Sequence, residues 1–267
     1  MKVGIGLPNT TPGTTGELLA GWARRADEGP FSTLAVLDRL VYDALDPFLS
    51  LASAASVTSR IGLATMIAIG PLRSPAVLAQ QARSLHTLSG GRFTLGLGVG
   101  AREDDYEAAN ADVRTRGARL SEQLAHLRVH GEGGVELLVG GGSGAAYARM
   151  ARYAHGYAHG GGPPRAFASA AARARAAWHD LERPGAPKLW GQGYFALGDP
   201  DRGSAYLRDY YAFTGPFAEN IAAANLTSAR AVKDFVRGYE AEGCDELVLL
   251  PTVADPAEVE RLAEVLS

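Results

Sequence analysis

A glycine-rich run over residues 140–144 is the part of this sequence best suited to hold a ligand. It follows an apolar stretch and precedes residues with helical spacing, which predicts a turn from a strand into a helix. Glycines let several backbone N–H groups of such a turn approach an anion without interference from Cβ atoms, and the helix N-terminus adds positive potential. The run therefore predicts an anion site at Gly140, Gly141, Gly142 and Ser143, with an ordinary flexible turn as an equally good interpretation.

Asp38 and Arg39 are the second group that could do chemistry, because two opposite charges directly follow the apolar residues 33–37. They could clamp a substrate or cofactor, or they could form an ion pair that closes the end of the fold. The sequence leaves both interpretations open. His159 is the histidine best placed for a site, since it ends the short apolar stretch 156–159, although structural histidines are more common than functional ones.

Motifs for protein nucleophiles and metal ligands are absent from the sequence. It holds no HExxH, GxSxG or Walker A motif and no carboxylate–histidine metal spacing, so metal-dependent hydrolysis and serine hydrolysis lack support. The single cysteine, Cys244, excludes an internal disulfide and a multi-cysteine zinc site. A sequence without a nucleophile–base pair is typical of an enzyme whose cofactor performs the chemistry.

The alternating glycines Gly96, Gly98 and Gly100 match part of a dinucleotide-binding fingerprint but lack its context. No helix is predicted directly after them, and the acidic residues 103–105 would repel a pyrophosphate. We interpret the three glycines as a strand end at which the backbone lies close to a flat ring.

Eight short apolar stretches alternate with amphipathic helices and would position these residues. The predicted strands are residues 2–7, 33–37, 61–67, 92–97, 136–139, 156–159, 188–197 and 246–250. Several are continuously apolar, as expected where helices cover a parallel sheet. An Asp or Ser before proline, at Asp46, Ser74, Asp199 and Asp255, predicts helix starts. The pattern predicts an α/β protein with one (β/α)8 TIM-like barrel domain over residues 1–267, and an open doubly wound sheet is the alternative.

The C-terminal ends of the strands carry the active site in such a barrel. Asp38, Gly98, Gly140 and His159 each lie at or just after the end of a predicted strand, so we expect them at one end of the barrel. The chain between the seventh and eighth strands is rich in Tyr and Phe over residues 206–217. We interpret it as extra helical material near the barrel end.

Charge and hydropathy restrict the partners. The 26 Lys and Arg residues are spread along a chain of formal net charge −3, which gives no signal for nucleic acid. No segment approaches the ~20 consecutive apolar residues of a membrane span, and the N-terminus lacks the layout of a signal peptide. We expect a cytoplasmic protein that binds neither nucleic acid nor membranes.

Several segments together resemble the luciferase-like monooxygenase family, which includes a deazaflavin-using branch. The resemblance lies in residues 3–8, 59–65, 71–75, 88–100, 102–106, 139–141 and 151–157. It covers most of residues 1–160 and is most specific around residues 89–106. Beyond residue 165 it is weaker.

The resemblance implies a TIM-like barrel that binds reduced FMN or, in the sister branch, the deazaflavin coenzyme F-420. Gly140, Gly141, Gly142 and Ser143 would take the cofactor phosphate. A non-prolyl cis peptide would fall between Met66 and Ile67, behind the ring. Asp38 stands where deazaflavin-using relatives carry an Asp near the ring. In all, we assign Asp38 and Arg39 as catalytic and expect Ala64, Thr65, Met66, Gly98, Gly100 and His159 to contact the cofactor, with no metal.

The chain also departs from the family pattern. Many members carry a long insertion between the fourth and fifth strands, whereas residues 131–135 join them tightly here. Relatives commonly have Asp-Gly-Trp where this chain has His155-Gly156-Tyr157. Arg39 stands where true luciferases have a catalytic histidine, so we do not expect light emission.

The resemblance and the departures together predict a flavin-dependent oxidoreductase or monooxygenase that acts on a small organic substrate. Reduced FMN would be the reactive cofactor, delivered by a separate flavin reductase, and the family favours a homodimer. The alternatives are a deazaflavin-dependent oxidoreductase that transfers hydride through coenzyme F-420, and a flavin-binding protein without catalysis.

Overall fold

Parallel strands closed into a barrel form the centre of the molecule. The computed structural model describes residues 1–130 and 133–267. Within those residues the strand segments are β1 (Lys2–Gly6), β2 (Thr33–Val36), β3 (Gly62–Thr65), β4 (Ala68–Ile69), β5 (Phe93–Gly98), β6 (Glu136–Gly140), β7 (Gly156–Ala158), β8 (Lys188–Phe195) and β9 (Glu246–Pro251). Their order is β3-β2-β1-β9-β8-β7-β6-β5-β4, and β3 also pairs with β5, which closes the sheet. The predicted TIM-like barrel is confirmed, and the open doubly wound sheet is wrong.

The third strand position is occupied by two segments, β3 and β4, where the sequence predicted one strand over residues 61–67. β3 pairs with the beginning of β5 and β4 with its end. A cis peptide bond between Met66 and Ile67 lies between the two segments, at the place that the family resemblance implied. The nine segments therefore fill eight strand positions.

Side chains alternate between the two faces of the barrel wall. Outward residues such as Leu34, Leu63 and Leu95 belong to the large hydrophobic cluster under the helices. Inward residues such as Ala64 and Val248 belong to a second cluster that fills the interior. Because both faces are apolar, the strands are continuous apolar runs in the sequence.

Helices surround the barrel and begin largely where the sequence predicted. They are α1 (Gly16–Glu28), α2 (Pro47–Ala55), α3 (Pro75–Leu88), α4 (Glu103–Ala108), α5 (Arg116–His130), α6 (Gly144–Tyr153), α7 (Pro164–Asp180), α8 (Pro200–Tyr210), α9 (Phe217–Ala223), α10 (Ala229–Ala241) and α11 (Ala257–Leu266). Asp46, Ser74 and Asp199 cap α2, α3 and α8 as predicted. Asp255 does not occupy the cap position of α11, because α11 begins at Ala257 and Pro256 directly precedes it. None of the helices in the described residues is long and apolar enough to cross a membrane.

The chain between β8 and β9 covers the C-terminal end of the barrel. Tyr206, Leu207 and Tyr210 of α8 and Ala222 of α9 join the interior cluster. The Tyr206 hydroxyl also lies 2.7 Å from Thr10 Oγ1, in the loop that follows β1. The prediction of extra helical material near the barrel end is therefore confirmed.

The connection from β5 to β6 holds α4 and α5. The sequence predicted no helix directly after Gly100, but α4 begins three residues later, at Glu103. The tight join predicted over residues 131–135 lies partly outside the described residues, because Gly131 and Glu132 are not among them. From Gly133 the chain continues into β6.

Candidate active site at the C-terminal end of the barrel

Buried polar side chains gather at the C-terminal ends of the strands. They are Asn9, Thr10, Thr11, Asp38, Arg39, Thr65, Asp105, Gln192, Asn225 and Thr252. Burying polar groups is costly unless they are hydrogen-bonded or serve a ligand. Their contacts therefore separate the groups that hold the fold from those that remain available.

The carboxylate of Asp38 is fully engaged inside the protein. Its Oδ2 accepts hydrogen bonds from the backbone N–H of Ile69 at 2.8 Å and from Arg73 Nη1 at 2.6 Å, and Oδ1 accepts one from Arg73 Nη2 at 3.3 Å. Arg73 also reaches Asp46 Oδ2 at 3.3 Å. Burial raises the pKa of Asp38, and the Arg73 guanidinium and the Ile69 N–H oppose part of that rise. Asp38 thus ties the end of β2 to β4 and to the turn before α3.

Arg39 forms a second buried ion pair, with Asp105 of α4. Arg39 Nε donates to Asp105 Oδ2 at 3.1 Å, while Asp105 Oδ1 accepts from the backbone N–H groups of Leu40 and Val41. Arg39 is 9% exposed and Asp105 is fully buried. The Nη2 atom of Arg39 is inaccessible and has no hydrogen-bond partner among the described residues. This pair therefore leaves one charged donor unused.

Aromatic rings enclose the Arg39 guanidinium. Its central carbon lies 4.8 Å from the ring centre of Tyr210, 5.6 Å from Tyr42 and 5.7 Å from Phe213. Such contacts between a cation and ring faces are favourable, and more so when water is excluded. The Tyr210 and Phe213 rings come from the segment that covers the barrel end.

The tyrosines near Arg39 form one cluster, which we call the tyrosine cluster (Tyr42, Tyr194, Tyr206, Tyr210 and Tyr211). The hydroxyls of Tyr194 and Tyr211 lie 2.5 Å apart, and the Tyr42 hydroxyl donates to Asp209 Oδ2 at 2.6 Å. Burial raises the pKa of Tyr194, Tyr206 and Tyr210. These phenols are therefore neutral, and they present hydroxyl groups and ring faces rather than negative charge.

The glycine-rich turn lies at the end of β6, the strand that pairs with β5. Gly141, Gly142 and Ser143 are exposed, and Ser143 Oγ accepts a hydrogen bond from Ala146 N at 3.3 Å as the cap of α6. A Cβ atom added to Gly142 or Gly144 would have no atom of residues 1–130 or 133–267 within 4 Å beyond its own chain neighbours. Backbone N–H groups at the start of a ten-residue helix, with open space before them, fit a phosphate group.

The space beside the other predicted glycines is filled by isoleucines. A Cβ at Gly98 would lie 2.0 Å from Ile67 Cδ1, and one at Gly100 would lie 2.8 Å from Ile69 Cγ2. Ile67 also packs against Gly140, and it is half-buried, so part of its side chain remains open. The structure thus places Ile67 between the glycines of β5 and the glycine-rich turn, as an apolar surface suited to a flat ring.

The remaining predicted cofactor residues lie in the barrel wall. Ala64, Thr65 and Met66 are buried, and the Thr65 hydroxyl is engaged with the backbone of Gly96. His159 follows β7 and is half-buried. Its Nε2 has no hydrogen-bond partner in the part of the chain that the structure describes, and burial lowers its pKa. The structure therefore groups His159 with the glycine-rich turn, and Asp38 with Arg39.

Sequence reasoning missed two important contributors, Asp105 and Ile67. Asp105 stands in a row of three acidic residues, and only the fold shows that it is the fully buried one. Ile67 falls beside the predicted cis bond but is not distinguished by residue type. The tyrosine cluster could have been found from the sequence, because residues 206–217 are rich in Tyr.

The comparison with known protein families identifies one family for this chain. The luciferase-like monooxygenase model matches residues 1–136. An uncharacterized protein of Mycobacterium tuberculosis is 33% identical over 143 residues, which are 45% of this chain and 49% of that protein. The chain thus spans about half the length of the curated relatives it matches first.

Solved structures extend the likeness over the whole chain. An F420-dependent secondary alcohol dehydrogenase, in complex with an F420-acetone adduct, has a TM-score of 0.82 at 13% identity and covers 99% of this chain and 97% of its own. The oxygenating constituent of 3,6-diketocamphane monooxygenase from Pseudomonas putida, in complex with FMN, has a TM-score of 0.72 at 15% identity and covers 100% and 97%. At these identities the likeness shows the fold. Since the family model spans half of the 267 residues, the chain belongs to the luciferase-like monooxygenase family.

Proposed function

We propose that this protein is a flavin-dependent oxidoreductase or monooxygenase that acts on a small organic substrate, with reduced FMN as its reactive cofactor. The observation that carries the proposal is the open glycine-rich turn at the N-terminus of α6, at the same barrel end as the buried charged and aromatic side chains. The turn offers a place for one phosphate, and the buried group offers a place for an organic molecule. The FMN complex among the solved structures of this fold supports the choice of cofactor.

The residues present fit FMN at both of its ends. Backbone N–H groups of Gly141 and Gly142 and the hydroxyl of Ser143 would hold the phosphate. Ile67 would support the ring from the barrel interior. Bound in this way, the reduced flavin would supply the electrons for the reaction.

Asp38 and Arg39 would have different roles beside the substrate. Asp38 would act as a positioning residue, because its two oxygens hold Ile69 N and Arg73 and thereby fix β4, next to Ile67. Arg39 would touch the substrate through its unused Nη2. The tyrosine cluster would exclude water, which strengthens hydrogen bonds inside the site.

A separate flavin reductase would deliver the reduced cofactor, and assembly as a homodimer stays a prediction of the family resemblance. The second candidate function is hydride transfer with the deazaflavin coenzyme F-420. The F420-dependent secondary alcohol dehydrogenase among the solved structures supports it.

A cofactor titration tests the proposal and separates the candidates. FMN and coenzyme F-420 are titrated into the full chain while flavin fluorescence and binding heat are measured. We expect FMN to bind more tightly. Tighter binding of F-420 would favour the deazaflavin function, and binding of neither would contradict both. FMN binding without oxygen uptake or substrate oxidation, in the presence of a reductase, would instead indicate a non-catalytic flavin-binding protein.

A charge placed in the glycine-rich turn tests the phosphate site directly. Gly142→Asp adds a carboxylate in open space and should weaken FMN binding by about 10-fold or more, through repulsion of the phosphate. Riboflavin, which lacks the phosphate, should bind the variant and the parent equally.

Gly16→Asp is the matched control, because it adds the same charge in open space at the first residue of another helix, α1. It should leave FMN binding unchanged. Equal weakening of FMN and riboflavin by Gly142→Asp would show that the turn does not hold the phosphate.

A further inference from the structure

Arginines collect on one side of the barrel, on α5, α6 and α7, although basic residues are spread along the sequence. The three helices together carry eight arginines but only Glu122 and Asp180 as carboxylates. The whole chain, by contrast, has a formal net charge of −3. This side of the molecule therefore has an excess of positive charge, which attracts anions.

A groove runs over α6 between α5 and α7. α6 has only ten residues, against 15 in α5 and 17 in α7, and its exposed side chains near its start are small, at Gly144, Ala145 and Ala148. The groove consists of two depressions of about 410 and about 500 Å³, which share Ala177 and Asp180 of α7. Each depression is large enough for a small molecule.

Three arginines line this groove, which we call the arginine groove. Arg173 lies in the first depression, and Arg149 and Arg152 lie in the second. Arg149 Nε donates to Ser121 Oγ at 2.9 Å, which orients its guanidinium. Within the described part of the chain, none of the three arginines forms an ion pair with a carboxylate. Since Asp180 is the one carboxylate that lines the groove among these residues, the groove keeps its positive charge.

The arginine groove begins at the glycine-rich turn. Gly144, the first residue of α6, lines the first depression together with Tyr147 and Arg173. Burial raises the pKa of Tyr157, and the charge of Arg173 opposes part of that rise, so Arg173 acts on this phenol. The Tyr157 hydroxyl donates to the carbonyl oxygen of Gly141 at 3.0 Å. The groove thus connects directly with the proposed phosphate site.

We propose that Arg149, Arg152 and Arg173 form an outer capture site for phosphate monoesters, from which the FMN phosphate passes to the glycine-rich turn. This inference deepens the proposed function, on which it rests for the identity of the ligand. A phosphate monoester carries a charge between about −1.5 and −2 at pH 7, and a surface of opposite charge raises the rate of association. Fast capture suits a cofactor that a separate reductase releases into solution.

The rate at which FMN associates with the full chain tests this inference, and stopped-flow quenching of flavin fluorescence measures it. Raising the ionic strength from about 20 mM to about 500 mM screens the charges of the groove. It should slow the association of FMN by about 10-fold. Riboflavin, which lacks the phosphate, should associate at the same rate under both conditions.

Matched arginine variants connect the salt dependence to the groove. Arg152→Gln and Arg173→Gln change exposed side chains, and each should slow FMN association by about threefold at low ionic strength without changing the dissociation rate. Arg24→Gln is the control, because it removes the same charge from an exposed position on α1, on the opposite side of the closed barrel from α6. It should leave both rates unchanged.

The outcomes separate this inference from the proposed function. Equal association rates in Arg173→Gln and Arg24→Gln, or an association rate that ionic strength does not change, would overturn the inference while FMN binding itself stands. Faster dissociation at an unchanged association rate would overturn it too, because the arginines would then hold the bound phosphate rather than capture it. If FMN does not bind, the proposed function fails, and the same variants measured with coenzyme F-420 decide the role of the groove. Binding of neither cofactor overturns the inference as well.

Discussion

Two halves of the barrel end are built in different ways. The charged half, after β2 and β5, consists of Asp38, Arg39, Arg73 and Asp105, which are largely buried and paired with one another. The glycine half, after β6 and β7, consists of residues 140–144 and His159, where an exposed turn presents backbone groups to open space. The charged half depends on contacts between distant parts of the chain, whereas the turn depends on local backbone conformation. Substitutions can therefore change the two halves separately.

Within the charged half, neighbouring residues also differ. All oxygens of Asp38 are used by Ile69 and Arg73, while Arg39 keeps one donor unused. The two adjacent charges thus differ in their pairing: both oxygens of Asp38 accept hydrogen bonds, while Arg39 has a buried terminal nitrogen without a partner among the described residues.

The largest effect should follow from Asp38→Asn. It leaves the mostly buried Arg73 guanidinium with two longer contacts, to Asp46 Oδ2 at 3.3 Å and to the Ile69 carbonyl at 3.4 Å. Breaking a buried pair in this way costs about 3 kcal/mol in the free energy of unfolding. Urea unfolding followed by circular dichroism measures the loss.

Asp112→Asn is the control for that prediction, since it breaks the pair between Asp112 and Arg114, which is exposed. Its unfolding curve should overlay that of the parent. A loss below about 1 kcal/mol for Asp38→Asn would mean that the charged half does not depend on its buried pairs.

An intermediate effect should come from the turn in the glycine half. Gly141 has a φ of +125°, and a Cβ there would lie 3.0 Å from Ala146 Cβ, so Gly141→Ala should cost about 1–2 kcal/mol. Gly142→Ala should change the free energy of unfolding by less than about 0.5 kcal/mol, because the added methyl group enters open space. Equal losses in the two variants would contradict the turn conformation described for this half.

The smallest effect concerns His159 and pH. Burial lowers the pKa of His159 below its ordinary value of 6.5, so the unfolded chain binds a proton more readily than the folded one. The stability that His159 contributes is thus present above pH 6.5 and is lost as the pH falls toward the folded-state pKa. His159→Gln lacks this dependence, so the parent should lose more stability than the variant between about pH 7.5 and pH 5. Parallel profiles of the free energy of unfolding against pH would show that the imidazole is not desolvated.

Much of the fold could be predicted because its signals are local. The apolar strands, the capping residues Asp46, Ser74 and Asp199 and the closed barrel were all predicted. The division of the third strand into β3 and β4 did not follow from residue types, since residues 61–67 are one apolar run. Only the resemblance to a family pointed to the cis bond between Met66 and Ile67.

The candidate site could be predicted less completely, because its partners are far apart in the chain. Nothing near Asp38 in the sequence indicates Arg73, and nothing near Arg39 indicates Asp105 rather than Asp104. Gly98 and Gly100 were assigned to the cofactor from their spacing, and the fold fills the space beside them with Ile67 and Ile69. Whether the assigned residues bind FMN stays a prediction.

By itself, the sequence determined the barrel class, the position of the glycine-rich turn and the family, because periodicity, caps and contiguous motifs are properties of neighbouring residues. Only the tertiary structure decided that Asp38 is fully paired and that Arg39 retains an unpartnered donor beneath aromatic rings. The physical reason is that burial and pairing of charges depend on which distant segments meet, and α8 meets the loop after β2 only once the barrel has closed.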